Sequence, residues 1–313
     1  MLARLYRSLF RIRRVEEEIA RVYPSDKIKS PVHLSIGQEA VSVGVCDPLR
    51  PEDVVFTTYR SHAAYLAKGG DLRSMIAELY GKATGCAKGK GGSMHLVDAA
   101  HGIMGASAVV GTTIANSVGY AYALKLARTD RIVVSFFGDG ATDEGVFHES
   151  LNFAALKGLP VLLVCENNGY AIHSAQRTRQ WIPDICVRVR SYGIPVQRIE
   201  GNDVLAIRER TAAAVASLRA GESRPWFLEC MTYRWKEHVG PNDDFHLGYR
   251  AREEAEPWLR SDQVIRLAAM LVPAQREAIE REVEAEIRDA FLYAEASAFP
   301  QGVELYTDVF KEA

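Results

Sequence analysis

The chain has 313 residues, 48% of them hydrophobic, so it is long enough to build one large domain around a substantial core. Its 38 basic and 40 acidic residues give a formal net charge of −2, which does not favour nucleic acid or an anionic membrane as a general partner. No segment approaches the run of roughly 18 apolar residues that indicates a membrane-spanning helix.

The first 45 residues have a largely helical pattern, which begins with an amphipathic helix over residues 3–23. This segment is rich in arginine, as transit peptides are, but the three acids at 16–18 argue against a targeting sequence. The five cysteines show neither disulfide nor zinc-ligand spacing, which indicates a reducing, cytoplasmic setting. The apolar stripe of the helix consists of Leu5, Leu9, Ile12, Val15, Ile19 and Val22.

Beyond this region, helical and strand patterns alternate along the chain. The alternation predicts an α/β fold with a parallel sheet, helices on both faces and a helical C-terminal extension, all in a single domain over 1–313. The predicted elements are strand 54–59, helical segment 61–83, a glycine-rich loop region 85–111, helix 113–128, strand 131–137, helix 144–157, strand 160–166, loop 170–184, strand 195–200, a helix from Asn202 or Asp203 to about Gly221, strand 226–233, loop 234–250 and two or three helices over about 250–300.

The segment from Arg131 to Tyr170 is the most informative part of this pattern. A buried apolar strand ends at Gly138-Asp139-Gly140, and a second apolar strand ends at Asn167-Asn168. The 26 residues between Gly140 and Asn167 fit one helix and one strand. Because parallel strands end at the same edge of a sheet, Asp139 and the Asn pair are expected at neighbouring strand ends, where α/β sheets bind ligands.

These residue types suit a magnesium ion bound to a diphosphate. Magnesium prefers octahedral oxygen ligands and takes one or two from protein, with phosphate oxygens completing the shell. Asp139, the Asn168 side chain and a backbone carbonyl, assigned to Tyr170, meet that demand. A Gly-Asp-Gly alone more often marks only a turn. Small residues that would let a diphosphate approach the following helix are Gly138, Gly140 and Ala141.

The combination of GDG, about 25 residues and NN resembles the signature of thiamine-diphosphate enzymes. Five segments occur in the order seen in alpha subunits of the decarboxylating first component of 2-oxo-acid dehydrogenase complexes, from about residue 5 to about 260. The block at 85–95 is closer to the pyruvate and acetoin branch than to the branched-chain branch. The segments are HLSIGQEA (33–40), TYRSHAAYLAKG (58–69), GCAKGKGGSMHL (85–96), GDG to ENNGYAI (138–172) and MTYRWKEH (231–238).

This resemblance implies thiamine diphosphate and Mg²⁺ as cofactors and suggests roles for further residues. Tyr59 and Arg60 would contact the diphosphate, and the backbone of Ala108 and Val110 would hold the aminopyrimidine ring. Ala108 stands where the family commonly has glycine. In isolation, an arginine at a strand end is usually only solvated.

Two histidines resemble family residues that act on the substrate. His33 would lie near the thiazolium and the substrate, and His238 would contact the diphosphate side and help to pass the acyl group to a lipoyl group. For His33 and for His62, a satisfied core histidine is the simpler alternative, and a lone loop histidine such as His238 usually has no role. His95 is expected to be structural.

The glycine-rich loop at 85–92 does not meet the spacing of a Walker phosphate loop. Gly85 lies one residue too close to Gly89, and Lys90 is followed by glycine rather than Ser or Thr. The loop is instead expected to shape a subunit contact and the cofactor entrance.

Thiamine catalysis also requires a glutamate against the aminopyrimidine, and the chain matches only the diphosphate-binding half of the family. The resemblance therefore implies an α2β2 assembly in which a beta subunit supplies that glutamate, with a lipoyl acyltransferase downstream. The substrate would be a small 2-oxo acid or an acyloin. The unusual loop 236–249, with Val239 in place of a serine that is phosphorylated in some members, keeps acetoin cleavage or a ligation without a lipoyl partner open. A cofactor-free scaffold is a third alternative.

Overall fold

The computed structural model of the chain describes residues 1–221, 225–307 and 310. Its centre is a six-stranded, all-parallel sheet with the strand order β2-β1-β3-β4-β8-β7. A separate antiparallel hairpin is formed by two short strands, β5 and β6. The strands are β1 Val54–Thr58, β2 Ile103–Ser107, β3 Val133–Gly138, β4 Val161–Asn167, β5 Tyr170–Ala171, β6 Ser174–Ala175, β7 Val196–Ile199 and β8 Trp226–Met231.

Helices cover both faces of the sheet, as the apolar strands require. One core lies between the sheet and a layer that includes α1 to α4, α9, α11 and α12, and the second packs α5, α6 and α8 on the opposite face. The helices are α1 Leu2–Val22, α2 Glu39–Cys46, α3 His62–Lys68, α4 Leu72–Leu79, α5 Thr112–Leu126, α6 Gly145–Lys157, α7 Gln176–Arg179, α8 Ile185–Arg190, α9 Val204–Arg219, α10 Arg252–Arg260, α11 Gln263–Ala268 and α12 Pro273–Ala296.

Strand β3 shows how the sequence builds these two cores. Val134 and Phe136 enter the first core, whereas Val133 and Phe137 enter the second, because successive side chains of a strand point to opposite faces. All four are fully buried. A largely apolar run, broken in β3 by the buried Ser135, is therefore what forms this central parallel strand.

The predicted fold class is confirmed, and several elements begin and end close to their expected residues. Helix α1 covers 2–22 against the expected 3–23, and its apolar stripe is buried. Asp203, rather than Asn202, caps α9 by accepting hydrogen bonds from the backbone amides of Leu205 and Ala206. Gly158 ends α6 in the left-handed conformation, with φ of 56°.

Three expectations about local structure were wrong, and the expected helical segment 61–83 is helical but interrupted. Residues 26–38 are not helical, and Pro31 lies within this stretch. The segment 61–83 is two helices separated at Gly69, which adopts φ of 102°. The expected loop 85–111 contains the edge strand β2, which has few β-branched residues and so gave little strand signal. The expected loop 170–184 contains the β5-β6 hairpin and α7.

The order in which successive strands are added to the sheet changes direction between β1 and β3. From β1 the chain runs outward to β2, and from β3 it runs the other way to β4. In α/β sheets such a point, outside the carboxyl ends of the strands, is where ligands bind. In the register of β3 and β4, Gly138 lies beside Glu166, so Asp139 and the Asn pair emerge side by side.

Two further properties concern the environment of the chain. All five cysteines are free, and four of them are buried. Across residues 1–221 and 225–307, no helix is long and apolar enough to cross a membrane.

Candidate functional site

A cavity of about 430 Å³ opens at the carboxyl ends of β1 to β4, where the strand order changes direction. Eleven of the twelve predicted site residues line it, and the twelfth, Asp139, lies buried between two of them. The lining residues from the prediction are His33, Tyr59, Arg60, Ala108, Val110, Gly138, Gly140, Ala141, Asn168, Tyr170 and His238. The structure therefore brings together the set that the sequence singled out, whereas the role of each residue stays a prediction.

Asp139 begins the tight turn that follows β3 and is only 1% exposed. Its Oδ2 atom pairs with the guanidinium of Arg179. Its Oδ1 atom is buried and has no hydrogen-bond partner within the part of the chain that the structure describes. Burial raises the pKa of this carboxyl group to about 6, and the charge of Arg179 opposes that rise. A buried carboxylate oxygen without a partner is a suitable ligand for a cation.

Asn168 and Tyr170 follow β4 and face the same cavity. The Asn168 side-chain amide donates to Oε1 of Gln38 at 2.9 Å, while its Oδ1 accepts from the backbone amide of Tyr170 at 3.1 Å. The Tyr170 hydroxyl donates to the carboxylate of Glu254 in α10 at 2.8 Å. The tyrosine side chain is thus anchored to the C-terminal region through α10.

The preceding asparagine has a different environment. Asn167 is fully buried, and its amide donates to Glu229 at 2.7 Å and to Gln176 at 3.1 Å. These bonds connect β4 to β8 and to α7, so Asn167 supports the turn that carries Asn168.

Arg60, after β1, joins two loops at the cavity wall. It is 8% exposed and donates to the carbonyl oxygens of Leu34 at 2.5 Å and His238 at 3.2 Å. Burial lowers its pKa to about 10, which still leaves it charged at neutral pH. A buried cation beside the cavity favours an anionic ligand.

Three rings form a cluster next to this arginine. The ring centroid of His33 lies 4.4 Å from that of Tyr59 and 5.1 Å from that of His238. Burial and then the charge of Arg60 lower the pKa of both histidines to about 3. Both imidazoles are therefore neutral at pH 7 and are suited to donate or accept a hydrogen bond rather than to act as cations.

Sequence reasoning missed several residues of the site. Glu166 lines the cavity directly before the Asn pair, and burial raises its pKa to about 7, opposed by the charge of Arg60. Its position in the ENN segment was a usable signal. Arg179 was visible only as part of a loop, because nothing in the sequence indicated that α7 would return its side chain to Asp139.

The backbone amides of the glycine-rich loop 85–92 bind a carboxylate of the same chain. The carboxylate of Glu78, at the end of α4, is fully buried and accepts hydrogen bonds from four backbone amides at 2.8 to 3.0 Å. These amides are consequently occupied and do not form a phosphate cradle. The donors are Ala87, Gly89, Gly91 and Gly92.

Two other histidines from the sequence lie outside this cavity. His62 is fully buried, with Nδ1 3.2 Å from a Glu16 carboxylate oxygen and Nε2 2.8 Å from the Ser93 hydroxyl. The Nδ1 atom of His95 lies 3.3 Å from the Ala106 carbonyl oxygen. Both contacts agree with structural roles.

The parallel sheet, the change in strand order between β1 and β3 and the cavity at that point define an α/β protein with a candidate ligand site at the carboxyl ends of its strands. The chain belongs to the dehydrogenase E1 component family, whose pattern it matches over residues 7–302. The resemblance inferred from its motifs is therefore confirmed.

The similar proteins are named for two different activities. The chain is 36% identical over 311 residues to the alpha subunit of acetoin:2,6-dichlorophenolindophenol oxidoreductase from Bacillus subtilis, covering 98% of this chain and 92% of that protein. It is 37% identical over 278 residues to the pyruvate dehydrogenase E1 component subunit alpha of Porphyra purpurea, covering 87% and 80%. It is 35% identical over 315 residues to the corresponding subunit of Zymomonas mobilis, covering 98% and 88%.

Proposed function

We propose that this chain is the alpha subunit of a thiamine-diphosphate- and magnesium-dependent enzyme that decarboxylates a small 2-oxo acid of the pyruvate type and passes the acyl group to lipoamide. The observation that carries the proposal is the cavity, which is lined by eleven predicted site residues, including the two neighbours of the buried Asp139. Residues 1–313 would act as one diphosphate-binding domain.

The residues present fit a magnesium ion and a diphosphate. The Oδ1 of Asp139, which has no partner among the residues that the structure describes, and the Oδ1 of Asn168 would be two hard oxygen ligands, and the Tyr170 carbonyl would be the third. Gly138 has no atom within 4 Å of the place where a Cβ would stand, so a phosphate group has room to approach the backbone there. Arg60, which also lines the cavity, supplies a positive charge.

When bound, thiamine diphosphate supplies the nucleophilic carbon and the electron sink for breaking a bond next to a carbonyl group. The residues of this chain would bind and orient the reactants around it. His33 and His238 are neutral, so either ring is suited to donate a hydrogen bond to the substrate oxygen through its N–H group. Arg60 keeps the two histidine loops together through its bonds to Leu34 and His238.

A beta subunit would complete the site. The relatives are named as alpha subunits, and the motifs of this chain cover the diphosphate half of a thiamine site. We propose an α2β2 assembly in which the beta chain supplies the glutamate that contacts the aminopyrimidine ring. The exposed side chains of Val109, 63%, and Val110, 43%, at the cavity rim agree with coverage by a second chain.

Acetoin cleavage is the second candidate. It is favoured by the 36% identity to the acetoin oxidoreductase subunit, which extends over nearly the full length of both chains. In that reaction the substrate would be an acyloin instead of a 2-oxo acid, and the same cofactor site would be used.

The test is co-expression with a beta subunit of the same family from the same genome, followed by turnover assays with thiamine diphosphate, Mg²⁺ and a dye acceptor. Pyruvate, larger 2-oxo acids and acetoin are compared as substrates, with omission of either cofactor as the control. Turnover of pyruvate, with acetylation of a lipoyl domain, is the expected result. Turnover of acetoin alone would replace the first candidate with the second.

A scaffold without cofactor is tested in the same preparation by titration with thiamine diphosphate. Binding that depends on Mg²⁺ is expected. An assembled complex that binds no thiamine diphosphate would overturn the proposal.

A further inference from the structure

We propose that Arg179 is a positioning residue that leaves Asp139 only one oxygen for coordination and thereby makes the site select Mg²⁺ over the larger Ca²⁺. This inference rests on the proposed function, because it concerns the same metal ligand.

The guanidinium of Arg179 spans two carboxylates of one turn. One nitrogen pairs with Oδ2 of Asp139 and another with Oδ2 of Asp143. The Nε atom also donates to the Ser174 carbonyl oxygen at 3.3 Å. The arginine side chain is 15% exposed and that of Asp139 is 1% exposed, so this fork is largely shielded from water. A planar guanidinium held on two sides fixes the direction of the carboxylate that it contacts.

The neighbouring residue holds α7 in the same place. Nε2 of Gln180 donates to the Thr142 hydroxyl at 2.9 Å and to Oδ1 of Asp143 at 2.6 Å. The Thr142 hydroxyl in turn donates to the Asp139 carbonyl oxygen at 2.7 Å. Arg179 would have to break free of a segment anchored at several points to release Asp139, so we infer that the pair persists when a cation binds.

With Oδ2 engaged, Asp139 presents Oδ1 alone, the oxygen that has no partner among the residues described. Magnesium demands near-octahedral geometry, whereas calcium takes six to eight oxygens in flexible geometry and often binds both oxygens of a carboxylate. A site in which the Asp139 carboxylate can offer the cation a single oxygen therefore favours Mg²⁺. Partners that orient a metal ligand in this way commonly affect metal affinity.

The experiment measures thiamine diphosphate binding to the purified complex with beta subunit, by calorimetry, in saturating Mg²⁺ or saturating Ca²⁺. For Arg179→Gln we expect affinity in Mg²⁺ to fall by roughly 10- to 100-fold, the usual cost of losing an outer-shell partner, with a smaller fall in Ca²⁺. The ratio of the two affinities is the readout, because a general folding defect would lower both alike.

Two further variants make the test specific. Arg179→Lys keeps the charge but not the fork, so we expect the same loss of metal preference with a smaller loss of affinity. Arg190→Gln is the matched control, because this exposed arginine of the nearby α8 undergoes the same chemical change; its Mg²⁺ to Ca²⁺ ratio should equal that of the wild type.

The outcomes separate this inference from the proposed function. An unchanged ratio in both Arg179 variants, with normal binding by the wild type, overturns the inference alone. A wild-type complex whose thiamine diphosphate binding needs no divalent cation overturns the proposed metal site and the inference together.

Discussion

The chain contains two glycine-rich turns at the ends of buried elements, and they are used in opposite ways. In the loop 85–92, four backbone amides donate hydrogen bonds to the carboxylate of Glu78, a residue of the same chain. In the turn that begins at Gly138, the small residues line an open cavity, and one oxygen of Asp139 has no partner within the described ranges. Glycine content alone therefore does not separate a structural loop from a ligand site; what separates them is whether the chain supplies the counter-charge.

The energetic reason lies in the cost of burying charge. A buried carboxylate is stable when hydrogen bonds or an opposite charge replace its water, and four amides do this for Glu78. Asp139 has Arg179 on one oxygen only. The other carboxylate oxygen is left for a ligand, which is the property expected of a metal site rather than of a structural carboxylate.

The largest expected effect comes from removing the carboxylate of Asp139. Asp139→Ala should reduce Mg²⁺-dependent thiamine diphosphate binding by more than about 100-fold, because a direct ligand should cost more than the 10- to 100-fold of an outer-shell partner. Binding is measured by calorimetry on the complex. The thermal unfolding midpoint should change little, because Arg179 keeps its pair with Asp143. Retained affinity in this variant would refute the assignment of Asp139 as a metal ligand.

Glu78→Gln should have the opposite profile. The amide nitrogen of glutamine cannot accept from the loop amides, so we expect a loss of about 3 kcal/mol of stability from broken charge-assisted hydrogen bonds. The thermal unfolding midpoint should fall, while the folded complex keeps its affinity for thiamine diphosphate within about twofold. Glu277→Gln, at an exposed position of α12, is the control. A large loss of cofactor affinity without a loss of stability would contradict the structural role of this loop.

How far the sequence predicted these two turns depends on the range of the contacts involved. The site at Asp139 and Asn168 followed from local patterns, because two apolar strands and one helix of standard length determine where their ends meet. The partner of Asp139 could not be predicted, since Arg179 reaches it from a short helix that has no clear periodicity. The four bonds of Glu78 were missed for the same reason, because they depend on how α4 packs beside the loop.

The fold itself was predictable wherever a strand is buried on both faces, as β3 and β4 are. The edge strand β2 was missed because it pairs on one side only and contains glycine and alanine instead of β-branched residues. Its pairing with β1 is a tertiary effect that local propensity does not encode.

A smaller effect tests whether a ligand approaches the backbone of the open turn. A Cβ added at Gly138 would meet no protein atom within 4 Å, and this glycine has an ordinary negative φ of −84°, so Gly138→Ala should fold normally. If the diphosphate lies against this turn, the methyl group should lower thiamine diphosphate affinity by about tenfold, the equivalent of 1.4 kcal/mol of overpacking. Gly119→Ala in α5, which also meets no atom, is the control. Unchanged affinity at Gly138 would place the diphosphate elsewhere in the cavity.

The last effect concerns how the stability of the fold depends on pH through the two histidines beside this turn, His33 and His238. Because burial lowers the pKa of His33 and His238 to about 3, against about 6.5 in an unfolded chain, the folded state binds fewer protons than the unfolded state between these values. Their contribution to stability is therefore complete above pH 6.5 and is lost as the pH falls toward 3, with a slope of at most about 1.4 kcal/mol per pH unit for each proton. Replacing both by Asn should make the fall in thermal unfolding midpoint between pH 7 and pH 5 shallower, whereas the same change at exposed His246 should leave it as in the wild type. An equal fall of the unfolding midpoint in the double variant would mean that the two rings are hydrated and become protonated in the folded state. The cavity would then not be shielded from water, and its contrast with the loop around Glu78 would be lost.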